Sequence, residues 1–206
     1  MSKLKTTGNQ FSIAQRNNTA FIMLACLLAI AYSFMTSINA GIDSGTHSSP
    51  TATDELFDAI NTRLSFMQSV ALYKVHNQLP IEDLDREQIV LEEALQSAAS
   101  LGLKPESVRD FFQTQMQLAK VIQFRYQAEL SKGQNLPAAP DLTSDIRPKL
   151  DQLSIDINTL LLGRIQTNGV VMEADWEKFN SSINDPYLTE QDKRRLFDSL
   201  LTVRAH

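Results

Sequence analysis

Arg63 and Lys74 stand eleven positions apart on a face that is otherwise apolar. With Met67 and Val70 between them at helical spacing, about three turns separate the guanidinium from the ammonium, and both project from one side of one helix. Taken singly, a cation at the edge of an apolar stripe is usually a snorkelling side chain, its stem packed and its head in water. Repetition on one stripe weakens that reading, because like charges sharing a buried face repel unless an anion lies between them. Asp83, Arg86 and Glu87 follow at i, i+3 and i+4, one side of a second helix. Asp83 also suits a purely structural duty as an N-cap after Pro80-Ile81-Glu82, and Arg86 and Glu87 alone would be ordinary solvated charges. Gln123 continues the stripe Phe112, Met116, Ala119 at steps of four, three and four, and an amide there needs a partner, protein or ligand. Two cations, a carboxylate cluster and an amide aimed into one bundle describe a site for a small polyanion.

Other chemistries lack their residues. His47, His76 and His206 are scattered without metal-ligand spacing, so no metal is expected. The chain has no Gly-rich phosphate loop, no serine elbow and one cysteine, Cys26, so no cofactor is expected either.

The elements that must position these groups are helices. Thr53 or Asp54 can cap a first helix to about Asn77, with Leu56, Ile60, Leu64, Met67 and Ala71 on one stripe. Leu79-Pro80 breaks it. Asp83 starts a second helix to about Ser100, with Ile89, Val90, Ala94, Leu95 and Ala98 facing inward and Gly102 as its stop. Pro105 opens a third to about Lys132, with Val108, Phe111, Phe112, Met116, Ala119, Ile122 and Tyr126 on its apolar face. After a connector from Gly133 to Pro140, a fourth spans about Ser144 to Arg164 and carries Ile146, Leu150, Leu153, Ile157 and Leu161. Two shorter helices are expected at Glu173–Ser182 and Thr189–Arg204, parted at Asp185-Pro186. No segment alternates as a strand, so the expected fold is all-α, a helix bundle with shorter C-terminal helices.

The first forty residues read differently. Residues 1–18 carry Lys3, Lys5 and Arg16 and no acid, Ala20–Met35 is strongly apolar, and Ser37-Ile38-Asn39-Ala40 is small-residue-rich. This is the three-part layout of a secretory signal cleaved after Ala40, the apolar core being short for a membrane span of roughly 20 residues. An uncleaved anchor is the alternative. Residues 41–53, GIDSGTHSSPTAT, form a linker without periodicity, and residues 54–206 one domain. Removing residues 1–40 leaves 16 basic against 24 acidic residues, a net charge of −8. Such a chain is a poor nucleic-acid binder and has no basic tail for anionic lipid. It keeps no cysteine, yet is long enough to bury its own core without disulfides.

Several segments together are similar to a known family. Ile60-Asn61-Thr62-Arg63-Leu64, Val70-Ala71-x2-Lys74, Leu79-Pro80-Ile81-x-Asp83-x2-Arg86-Glu87-x2-Val90-Leu91 and Phe111-Phe112-x2-Gln115-x6-Ile122-Gln123 resemble the all-helical chorismate mutases. The export signal and the C-terminal extension with Asp141-Leu142-x4-Arg147-x3-Asp151-x-Leu153 resemble the secreted subclass. The resemblance implies a cofactor-free Claisen rearrangement of chorismate to prephenate. It further implies that Arg63 and Arg147 grip the substrate carboxylates with help from Arg86, that Lys74 and Gln123 donate to the ether oxygen, and that Glu87 and the Asp83 region take the ring hydroxyl. The sequence departs from the family pattern at Ala119, a hydroxyl residue in some relatives, so one carboxylate contact is missing or comes from backbone. Arg147 stands one residue further from Asp141-Leu142 than the pattern has it. The C-terminal region lacks the disulfide of some secreted members. The family suggests a homodimer, although the sequence shows no self-association stripe. Two rival readings are an isochorismate pyruvate-lyase of the same fold and a catalytically silent helical ligand-binding module of the periplasm.

Overall fold

The computed structural model describes residues 50–133 and 136–206. The signal, its cleavage point and most of the linker lie outside the described residues. Among the described residues are seven α-helices: α1 (Ala52–Ser65), α2 (Met67–His76), α3 (Leu84–Leu101), α4 (Pro105–Leu130), α5 (Arg147–Asn168), α6 (Trp176–Ser182) and α7 (Glu190–Leu200). The described residues contain no strand, as the sequence implies.

The first helix departs from expectation in two ways. It starts at Ala52, because Thr51 rather than Thr53 or Asp54 is the N-cap: Thr51 Oγ1 accepts from Asp54 N while the Asp54 carboxylate accepts from Thr51 N at 2.8 Å, a reciprocal capping box. It also stops at Phe66, where ψ opens to −15°, and α2 begins one residue later. Neither proline nor glycine is present there. The Ser65 hydroxyl instead bonds back to the Thr62 carbonyl at 2.7 Å, the kind of competing contact that bends helices. Arg63 and Lys74 therefore stand on two helices, not one.

The remaining boundaries fall close to expectation. Asp83 caps α3 through Arg86 N at 3.1 Å, and Gly102 ends it in the left-handed conformation at φ 96°. On α3 the expected inward face is wrong at one position: Ile89 is 46% exposed, and Leu91 is buried instead. The fourth long helix opens with a π-helical turn at Leu142–Ile146, capped by Asp141 Oδ1 accepting from Thr143 N and Ser144 N, and only then becomes α5.

Packing arranges these helices around one core. α1 lies on α5, α4 touches α2, α3 and α7, and α3 also packs on α5. The C-terminal helices close one side with an aromatic cluster in which Phe57, Trp176, Phe179 and Phe197 meet edge to face, tilted or stacked, with centroids 5.1–6.4 Å apart. The chain end then returns to the α3–α4 elbow, where Lys104 N donates to Arg204 O and His206 N to Gly102 O.

Candidate active site

A cleft of ≈ 710 Å³, open to solvent, lies among α1, α2, α3, α4 and the start of α5. Its floor is apolar, built by Met67, Val70, Ile81, Val90, Met116, Ala119, Leu142 and Leu150. Every site residue expected from the sequence reaches it: Arg63, Lys74, Asp83, Arg86, Glu87, Ala119, Gln123 and Arg147. Helix spacing does the placing. Arg63 is in the last turn of α1 and Lys74 in the last turn of α2, Asp83, Arg86 and Glu87 crowd the first turn of α3, and Arg147 opens α5.

The cations of the cleft fall into two groups. Arg86 donates to Asp151 Oδ1 at 2.6 Å, and Arg147 lies 3.9 Å from Asp83 Oδ2. Lys120 donates to Glu87 Oε2 at 2.9 Å. Among the described residues, Arg63 and Lys74 have no carboxylate within ion-pair distance. Arg63 is 5% exposed and its Nε donates to Ser154 Oγ at 3.3 Å. Burial pushes its pKa down to about 10, against the pull of Asp151 and with a smaller push from Arg86. Lys74 Nζ donates to the Ile81 carbonyl at 2.6 Å. Its pKa lies below 10.5, chiefly through desolvation, with Asp83 and Glu87 opposing and Arg147 and Lys120 reinforcing. Five cations and three carboxylates line the cleft, an excess of two positive charges.

Gln123 adds polar atoms to the cleft. It is 5% exposed, Nε2 donates to the Ala119 carbonyl at 3.1 Å, and Oε1 is buried with no hydrogen-bond partner among the described residues. A second N–H of the amide approaches Met67 Sδ at 3.7 Å, a weak acceptor that an oxygen in the cleft would displace. Ala119 sits inside α4, where its backbone N–H serves the helix, so it offers the cleft a methyl group and no backbone donor.

Three site residues escaped the sequence reading of roles. Asp151 and Ser154 hold Arg86 and Arg63 from α5, and Lys120 pairs with Glu87 from α4. A signal for Lys120 existed: Met116, Ala119, Lys120 and Gln123 are at i, i+3, i+4 and i+7, all on the face that lines the cleft.

These features define a class, an all-helical bundle with a cation-rich cleft between its helices. Residues 51–124 match the family model described as chorismate mutase type II. A monofunctional chorismate mutase of Enterobacter agglomerans is 40% identical over 150 residues, spanning 72% of this chain and 82% of the relative. A secreted chorismate mutase of Yersinia pestis is 34% identical over 145 residues, spanning 70% of this chain and 78% of the relative. The crystal structure of secreted chorismate mutase from Yersinia pestis superposes with a TM-score of 0.69 at 32% identity, covering 74% of this chain and 98% of the other. The chain belongs to the chorismate mutase type II family.

Proposed function

We propose that the cleft binds chorismate and converts it to prephenate by an intramolecular Claisen rearrangement. The carrying observation is the charge balance: five cations against three carboxylates among the described lining residues leave an excess of two positive charges, which a dicarboxylate substrate would neutralise. In the reaction the ether C–O bond breaks as a C–C bond forms, and no atom leaves. Catalysis then consists of holding the compact diaxial conformer and stabilising charge that grows on the ether oxygen. Arg63 and Arg147 grip the carboxylates, with Arg86 beside them, bidentate guanidinium being suited to that role. Lys74 and the Gln123 amide donate to the ether oxygen. Glu87, with Asp83 nearby, accepts the ring hydroxyl.

Residues 41–206 should consume chorismate in plain buffer containing a chelator, followed by the loss of chorismate absorbance, with prephenate identified by NMR. Release of pyruvate would make the protein a lyase instead. Binding of a dicarboxylate without turnover would make it a silent binding module. Relatives named as mutases support neither alternative.

We further infer export. The basic, apolar and small-residue segments of residues 1–40 support it, as does a relative named as secreted. Expressed with its leader in a bacterium that exports proteins, the chain should be recovered starting at or near Gly41 by N-terminal sequencing. An intact apolar segment found in the membrane fraction would replace cleavage with anchoring.

A further inference from the structure

We propose that Lys120 is a positioning residue for the rearrangement, acting through Glu87; this rests on the mutase reading above. Lys120 reaches the cleft from α4, one helical turn beyond Met116, and Glu87 faces it from the first turn of α3. Both side chains are largely covered, 21% and 26% exposed, and Nζ lies 2.9 Å from Oε2. A carboxylate rotates freely about its last torsion, whose energy profile is broad. Pinning Oε2 removes that freedom and leaves Oε1, which takes no hydrogen bond from the described residues, to accept from a ligand hydroxyl. The alternative, in which Lys120 itself grips a substrate carboxylate, would uncover Glu87 in a cleft that must admit a dianion. Lys120 neutralises Glu87 and so keeps the carboxylate from opposing the incoming charge.

A weaker contact extends the role. Lys120 Nζ also lies 3.8 Å from Glu82 Oε1, in the α2–α3 loop next to Ile81, whose carbonyl takes the Lys74 ammonium. Glu82 is 62% exposed, so solvent screens this contact and the Glu87 pair carries the effect.

The test is a double-mutant cycle read in kcat and KM on chorismate, with single-turnover measurements at high enzyme concentration for the slow variants. Lys120→Met should lower kcat/KM by about tenfold or more, and Lys120→Arg, which can still bond Oε2, should recover most of the loss. In a Glu87→Gln background the same Lys120→Met change should alter kcat/KM by less than about twofold, because no carboxylate remains to be held. Lys120→Gln is the second variant should Lys120→Met fail to fold by thermal melting. Equal losses in both backgrounds would mean that Lys120 acts independently of Glu87, and an unimpaired single variant would mean that it does not act at all; either overturns the inference while wild-type turnover leaves the mutase reading standing. A wild-type protein without turnover would instead remove that reading, and this inference with it.

Discussion

Lys74→Ala is expected to lower kcat by about a hundredfold or more, roughly 3 kcal/mol, while KM changes only a few-fold. The asymmetry follows from where the ammonium acts. The ether oxygen carries little charge in bound chorismate and gains it as the bond breaks, so a donor aimed there binds the transition state more tightly than the substrate. Lys74 Nζ donates to the Ile81 carbonyl at 2.6 Å, which holds the charge at the edge of the cleft. The pH dependence has a definite sign. Lys74 must be protonated to act, and desolvation holds its pKa below the ordinary lysine value, so the alkaline fall in kcat/KM should begin below the ordinary lysine range. Lys74→Met keeps the apolar stem, loses the bond to Ile81 and loses the desolvated charge, two effects that oppose each other. Its melting temperature should stay within a few degrees of wild type. A Lys74→Met protein that unfolds, yet is fully active wherever it is folded, would show the residue to be structural.

Arg63→Met should make a more stable and nearly inactive protein. The guanidinium is buried with a single hydroxyl partner, and the carboxylate it would grip is present throughout the reaction, so affinity and rate should fall together. A loss in kcat/KM of about a thousandfold corresponds to roughly 4 kcal/mol, within the range for truncating one side of a desolvated charge pair. For stability, burial pushes the folded pKa down to about 10, well below the ordinary arginine range. A cation depressed in this way disfavours the fold at all pH values below about 10, and the penalty fades only as pH rises above 10 towards the ordinary arginine range. At neutral pH the full penalty applies, on the order of 3 kcal/mol at most. Methionine removes it at the expense of the Ser154 bond and some packing. A net gain of about 1 kcal/mol would raise the melting temperature by roughly 2–4 °C for a domain of this size. Calorimetry without ligand measures it, and a clear drop in melting temperature would assign Arg63 to the core rather than the site.

The fold was legible because apolar spacing, Pro80, Gly102, Pro105 and the Asp83 cap each mark a helix or its end through local chemistry. The interruption at Phe66 was not, since no breaker residue signals it and the Ser65 back-bond forms only once the helix exists. Ile89 was misplaced because the α3 sequence offers apolar residues on more than one side, and only packing on α4 and α5 selects among them. Within the site, residues whose charge interrupts an apolar stripe could be found one helix at a time. Asp151, Ser154 and Lys120 could not, because each matters through a partner 33 to 91 positions away. Arg86 and Glu87 illustrate the same limit: their spacing puts them on one face, and the long-range partners Asp151 and Lys120 decide how each is held.

The wide turn at Leu142–Ile146 bears on how such a protein tolerates change in length. Each residue added to a regular α-helix rotates everything beyond it by about 100°, which would swing a side chain at the far end away from its target. Here Leu142, the first residue of the turn, and Arg147, just after it, both face the cleft. Residues 136–141 are not helical, so no helical phase is carried into the turn, whose five residues wind more widely than an α-helix. An insertion ahead of the turn would therefore leave the register of α5, and the bearing of Arg147, unchanged. The same insertion one turn later, between Arg147 and Asp151, would separate the two residues that hold Asp83 and Arg86 in register.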